Sequence, residues 1–140
     1  MTANDMMTAI AMKLGELFPD RLAYYQQVKQ MADGQHYVRC IDQTHTKELD
    51  RRRRRSYSFE VLYFRKDDDA LEFNSWAEVM YMEFETLTVG EQVFHVTNAH
   101  AEPGDDMVFH FVFDVAFVAL LDPVPGVPME QLDIETEVLP

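Results

Sequence analysis

The chain has 140 residues, 47% of them hydrophobic and 12% aromatic, which is the composition of a globular domain long enough to close a core without metal or disulfide staples. Its formal net charge of -13, from 25 acidic against 12 basic residues, argues against nucleic acid binding over the whole surface. A single cysteine, Cys40, excludes an internal disulfide and fits a reducing cytoplasm. The opening residues lack a signal-peptide pattern, and the densest apolar run, residues 107–121, is broken by His110 and Asp114, so no membrane span is expected.

The first element reads as a helix. Met7, Ile10, Leu14, Leu17 and Phe18 recur at intervals of three and four. Thr2, Asn4 and Asp5 offer cap and first-turn groups, Pro19 and Asp20 stop it, and Gly15 weakens it by about 1 kcal/mol relative to alanine. Residues 22–30 read as a first strand, and Asp33-Gly34 as a turn. Residues 36–44 form a second strand, with Val38 and Cys40 on one face and Tyr37, Arg39 and Ile41 on the other. Cys40, mid-strand among apolar neighbours, reads as a small packed residue rather than a nucleophile.

Residues 45–55 are polar and charged throughout and read as a long solvated hairpin connection. It contains Lys47 and the run Arg51, Arg52, Arg53, Arg54 and Arg55, which holds five of the chain's twelve basic residues. The strand behind it alternates, with Tyr57, Phe59, Val61 and Tyr63 on one face and Ser58, Glu60, Leu62 and Phe64 on the other. Three readings of the arginines stay open: an arm for nucleic acid, an arm that docks an acidic surface (including another copy of this chain), and a loop in water.

Asp67, Asp68 and Asp69 suit the positive end of a second helix, whose apolar stripe is Phe73, Trp76, Ala77, Met80, Phe84 and Leu87. Val89 and Gly90 lead into a final hairpin around Glu102-Pro103-Gly104-Asp105, read as a tight type II turn. Pairing Glu102 with Asp105 puts Phe94, Val96, Phe109, Phe111, Phe113, Val115 and Phe117 on one face. The same register sets His95 diagonal to both His110 and Asp114, a weak candidate metal site with no ligand-spacing motif behind it. No phosphate loop, nucleophile elbow or CxxC is present, so no catalytic residue, cofactor or enzyme activity is expected. Residues 1–121 read as one domain, and 122–140, proline-rich and then acidic, as an extended tail.

The expected fold is therefore α+β: an antiparallel sheet of about five strands, in the order helix, three strands, helix, two strands, with both helices on one face. Several features in sequence carry a resemblance. They are the opening helix ending Leu17-Phe18-Pro19, Tyr24-Tyr25 leading to Val28 and Gln30, and arginines followed by Tyr57-Ser58-Phe59-Glu60-Val61. The helix over 71–87 and the Phe109-His110-Phe111 strand complete the set. Over roughly residues 6–121 the chain resembles the phage tail terminator proteins, in their short form from prophages of Gram-positive bacteria.

The resemblance implies a structural virion protein that acts without cofactor or catalysis. It would assemble in the bacterial cytoplasm and then reside in the tail. Its partners would be further copies of itself in a ring, with a hexamer as the candidate stoichiometry, the tail tube protein, a head-completion or connector protein, and DNA passing through the lumen; no membrane is implied. A head-tail connector is the alternative within the class. A small nucleic-acid-binding module using the arginine arm, and a metal enzyme on His95, His110 and Asp114, are the alternatives outside it.

Overall fold

A computed structural model describes residues 1–21, 23–24, 33–65, 69–104 and 107–121. It contains α1 (Ala3–Leu17), β1 (Ala23–Tyr24), β2 (His36–Lys47), β3 (Arg52–Phe64), α2 (Ala70–Glu83), β4 (Thr86–Val89), β5 (Gln92–Pro103) and β6 (Val108–Leu120). The sheet order is β1-β2-β3-β6-β5-β4. Five strands from β2 to β4 are antiparallel, and the two helices pack on one face, giving the expected α+β fold. The two-residue β1 is an addition of the other sense, pairing parallel with His36 and Tyr37. The rest of the strand expected over 22–30 lies outside the described residues, as do Asp67, Asp68, Asp105 and the tail 122–140.

Helix α1 starts at a capping box: the Asp5 amide donates to Thr2 Oγ1 at 3.2 Å, and the Thr2 amide donates back to Asp5 Oδ2 at 3.0 Å. Met6, Ile10, Ala11 and Leu14 are its buried stripe. Helix α2 starts at Asp69, which accepts from the amides of Leu71 and Glu72 at 3.0 and 3.3 Å. Both stripes close on the phenylalanine face of β3 and β6, where Phe59, Phe109, Phe111 and Phe113 are fully buried. Edge-to-face and tilted contacts tie these rings to Trp76 and Phe84 at centroid distances of 5.8 to 6.5 Å.

Three expectations need correction. The second helix does not run to Leu87. It ends at Glu83 with Phe84 as its C-cap, and Thr86, Leu87, Thr88 and Val89 form β4, paired with β5 through a turn where Gly90 takes φ 62°. Phe84 and Leu87 stay buried, because the chain reverses and returns them to the same core. The last hairpin is not a two-residue turn either. Pro103 faces Phe109 and Glu102 faces His110, and a bulge between Thr97 and His100, with Asn98 at φ 54°, shifts the register. That bulge keeps Phe94 and Val96 on the phenylalanine face, although their partners differ from those expected.

The third correction concerns residues 45–55, which are not a solvated connection. β2 continues through Lys47, β3 begins at Arg52, and the turn is only Glu48, Leu49, Asp50 and Arg51. The arginines from Arg52 onward lie in an interior strand: Arg55 pairs with His45 and Phe117, Arg54 with Thr46 and Val118, and Arg53 with Lys47 and Ala119. Arginine tolerates this because its aliphatic stem lies along neighbouring side chains while the guanidinium reaches water. Backbone bonding to strands on both sides outweighs the polar sequence.

Candidate interaction surface

The basic end of the sheet is rigid and two-sided. Alternation puts Arg53 and Arg55 on the helix-bearing face and Arg52 and Arg54 on the opposite one. Arg55 is held by His45 Nδ1, at 3.1 Å from its Nε, and by the Met1 carbonyl, 3.3 Å from Nη1. Together with Thr2, Asn4, Gln43 and Tyr57 it lines an open cavity of about 610 Å³ beside the start of α1. Arg53 donates to the carbonyls of Asp50 and Arg52, and Arg54 Nε meets Glu48 Oε2 at 3.1 Å. Arg52 is exposed, with no side-chain partner among the described residues. Leu49, at the tip of the turn, is 87% exposed, so an apolar side chain crowns the basic end.

No helix of the described residues covers the second face of the sheet. At its centre Glu60, only 8% exposed, uses both carboxylate oxygens. Arg39 pairs with Oε1, donating from Nε at 2.7 Å and also bridging through Nη2, while His110 Nδ1 lies 3.1 Å from Oε2. One strand step further up, Asp114 accepts from Ser58 Oγ at 2.6 Å and Asn98 Nδ2 at 2.9 Å. These ties crosslink β2, β3, β5 and β6 through side chains. The candidate set His95, His110 and Asp114 is therefore split. Asp114 faces Thr97, one diagonal step from His95, but His110 faces Glu102, seven positions beyond His95 and about 20 Å along the strand. Among the described residues, no group of three or more His, Cys, Asp and Glu is arranged to hold a metal ion.

Cys40 is half-buried, its thiol donating weakly to the Asp42 carbonyl at 3.4 Å, and burial pushes its pKa up, away from a reactive thiolate. At the other end of the sheet, His36 is fully buried against Phe18 and Tyr63, which also stack on each other. Trp76 Nε1–H donates to its Nε2 at 3.3 Å, and its Nδ1 has no partner among the described residues. Burial, with the Arg21 guanidinium adding to it, drives the imidazole pKa down to about 3, so His36 is neutral at physiological pH. Arg21 and Arg65 each lie 5.3 Å from the Tyr63 ring centroid, and Arg65 also pairs with Glu72 at 3.0 Å. Sequence reasoning passed over Glu60, Leu49 and His36. The available signals were an acid inside an alternating strand with Arg39 one strand away, a lone leucine among charges, and a histidine opening a strand.

These features define a class first: a small α+β protein whose polar chemistry is spent on crosslinking a sheet and presenting a fixed basic end. A family model described as phage tail terminator protein matches residues 5–125, and the chain belongs to that family. Its role is a structural one in the phage tail. No curated protein matches the chain. Sixteen chains of solved structures match, one of them at 12% identity over 89% of this chain and 99% of its own, with a TM-score of 0.43.

Proposed function

We propose that this protein caps the head-proximal end of the tail tube as a ring of identical copies, stops tube polymerisation and presents the surface to which the head joins. Membership of the tail terminator family over residues 5–125 carries the reading. The fold supports it: a ring needs two unlike surfaces on each copy, and the sheet offers a rigid basic end on a chain of net charge -13. In this reading Lys47, Arg51, Arg52, Arg53, Arg54 and Arg55 are contact residues that meet an acidic surface of the next copy or of a tail partner. The work is done by surface complementarity, with no chemical step.

Labelling tests the position. A tagged copy incorporated into tails and decorated with gold should appear at one end only, the end that meets the head. Label along the tube or at the distal tip would overturn the reading.

A further inference from the structure

The turn between β2 and β3 is a fixed basic knob with an apolar tip. The Glu48 amide donates to the Arg52 carbonyl at 3.0 Å, and the Arg52 amide donates to the Leu49 carbonyl at 3.2 Å. The end of β6 ties it from the side: the Leu121 amide donates to the Arg51 carbonyl at 2.8 Å, and Arg51 Nη1 donates to the Leu121 carbonyl at 3.2 Å. Residues 47–55 hold six basic residues against two acidic ones. Lys47 and Arg52 are exposed, with no side-chain partner among the described residues. Leu49, almost wholly exposed, adds nothing to the core, so packing within the chain does not explain a leucine at the tip.

Helix α2 carries the opposite pattern on the side turned away from the sheet. Leu71, Ser75, Glu78 and Met82 follow at intervals of four, three and four, which makes one outward row about 17 Å long. Leu71 and Met82 are 77% and 63% exposed. With its cap, over residues 69–83, the helix holds four acidic residues and no basic one. Glu72 is already paired with Arg65, but Glu78 and Glu83 are exposed and neither carboxylate has a partner among the described residues. Beside the row, Phe18, Tyr63, Ser75, Trp76 and Val79 line a cavity of about 200 Å³, with Arg21 and Glu72, one of each sign, at its rim. Small-molecule sites start at roughly 300 Å³, so this one suits a single aliphatic side chain better.

The knob cannot reach the helix of its own chain. Helix α2 ends at Phe84, whose ring packs on Phe111 and Phe113, and Phe113 faces Phe59. Arg52 lies seven strand positions past Phe59, about 23 Å on, and Leu49 lies beyond it. The geometry points to a head-to-tail contact between copies of this chain: the β2–β3 turn of one copy docks on α2 of the next. Leu49 enters the cavity beside Val79, while Lys47 and Arg52 meet Glu78 and Glu83. The turn is already tied by its own backbone bonds, so docking orders little. Two unlike patches on each copy are what a closed ring requires. The inference rests on the proposal that copies assemble with one another, and it names the acidic surface that the basic end meets.

Disulfide trapping tests it in the full chain. A chain with Leu49→Cys is mixed with one carrying Val79→Cys, both in a Cys40→Ala background, and oxidised gently. The mixed disulfide should exceed chance pairing several-fold, and a chain bearing both substitutions should give a ladder of linked copies. Glu78→Lys with Glu83→Lys on the Val79→Cys chain should cut the mixed product about tenfold. Lys47→Glu with Arg52→Glu on the Leu49→Cys chain should then restore most of it. Chance-level pairing, or a loss that the reversed charges fail to restore, overturns the proposal. The tail-cap reading fails separately: gold label at the distal tip with the mixed disulfide intact sinks that reading alone, and label at the head end without the disulfide sinks this contact alone.

Discussion

Arg52 pairs with Leu120, and from that pair the β3–β6 ladder runs without a break to Phe64 and Val108. The basic run is therefore the first third of an interior strand about 43 Å long, and the arginine backbone positions sit at the strand's fixed spacing. Amide exchange checks this. Arg53, Arg54 and Arg55 should be protected against exchange far beyond the turn residues Leu49 and Asp50. Arg54→Pro, which removes a ladder donor from an interior strand, should cost about 3 kcal/mol or more in urea unfolding. Free exchange at these arginines contradicts the strand.

Stability should fall in mild acid because of His36. Its folded pKa of about 3 lies below the ordinary value of 6.5, so the unfolded chain takes up a proton that the folded chain refuses. The loss therefore begins below about pH 6.5 and grows as pH falls toward about 3, amounting to about 2 kcal/mol by pH 5. His36→Gln should flatten this part of the profile. Urea midpoints of parent and variant at pH 7.5 and 5 give the comparison, and equal acid sensitivity would refute the assignment.

Glu60 holds Arg39 and His110 from a nearly dry position, so truncation leaves both without their carboxylate. Glu60→Ala should destabilise by about 2 kcal/mol, and Glu60→Gln by less, since an amide still accepts one bond. Thermal melts rank the two; equal melting of both with the parent would show that the network contributes nothing.

Asp69 accepts two amide bonds at the start of α2, and Asp69→Ala should cost about 1 kcal/mol while Asp69→Ser restores most of it. Urea unfolding reads the difference, and indistinguishable alanine and serine variants would mean that the cap is not formed.

Much of this fold is legible in the sequence because local rules and the final packing agree. The period of α1, the alternation from Tyr57 to Tyr63 and the acid at Asp69 each point to the element that forms. Legibility fails where two rules compete. Phe84 and Leu87 extend the helical stripe of Phe73, Trp76 and Met80, so nothing local marks the reversal into β4. The bulge at Asn98 changes which residues face one another, and no residue there demands it. The arginines defeat a charge-based reading outright, because their strand is imposed by neighbours on both sides. The surface was legible in composition only: the run at Arg51 to Arg55 stands out, whereas its alternation between two faces, and its closure by Leu121, are tertiary facts.

The basic end also separates function from stability. Arg52→Glu with Arg54→Glu replaces exposed side chains, Arg54 giving up its surface pair with Glu48, and should cost no more than about 1 kcal/mol of stability. The same pair should reduce the yield of head-joined tails about tenfold or more. A normal yield from the folded double variant would remove Arg52 and Arg54 from the contact surface.

Tube length in the absence of the protein tests the central claim most directly. Electron micrographs of lysates from a phage lacking this gene should show tubes of uncontrolled length without heads, restored to uniform joined tails by the intact gene. Tails of normal length, joined to heads without the protein, would contradict the account.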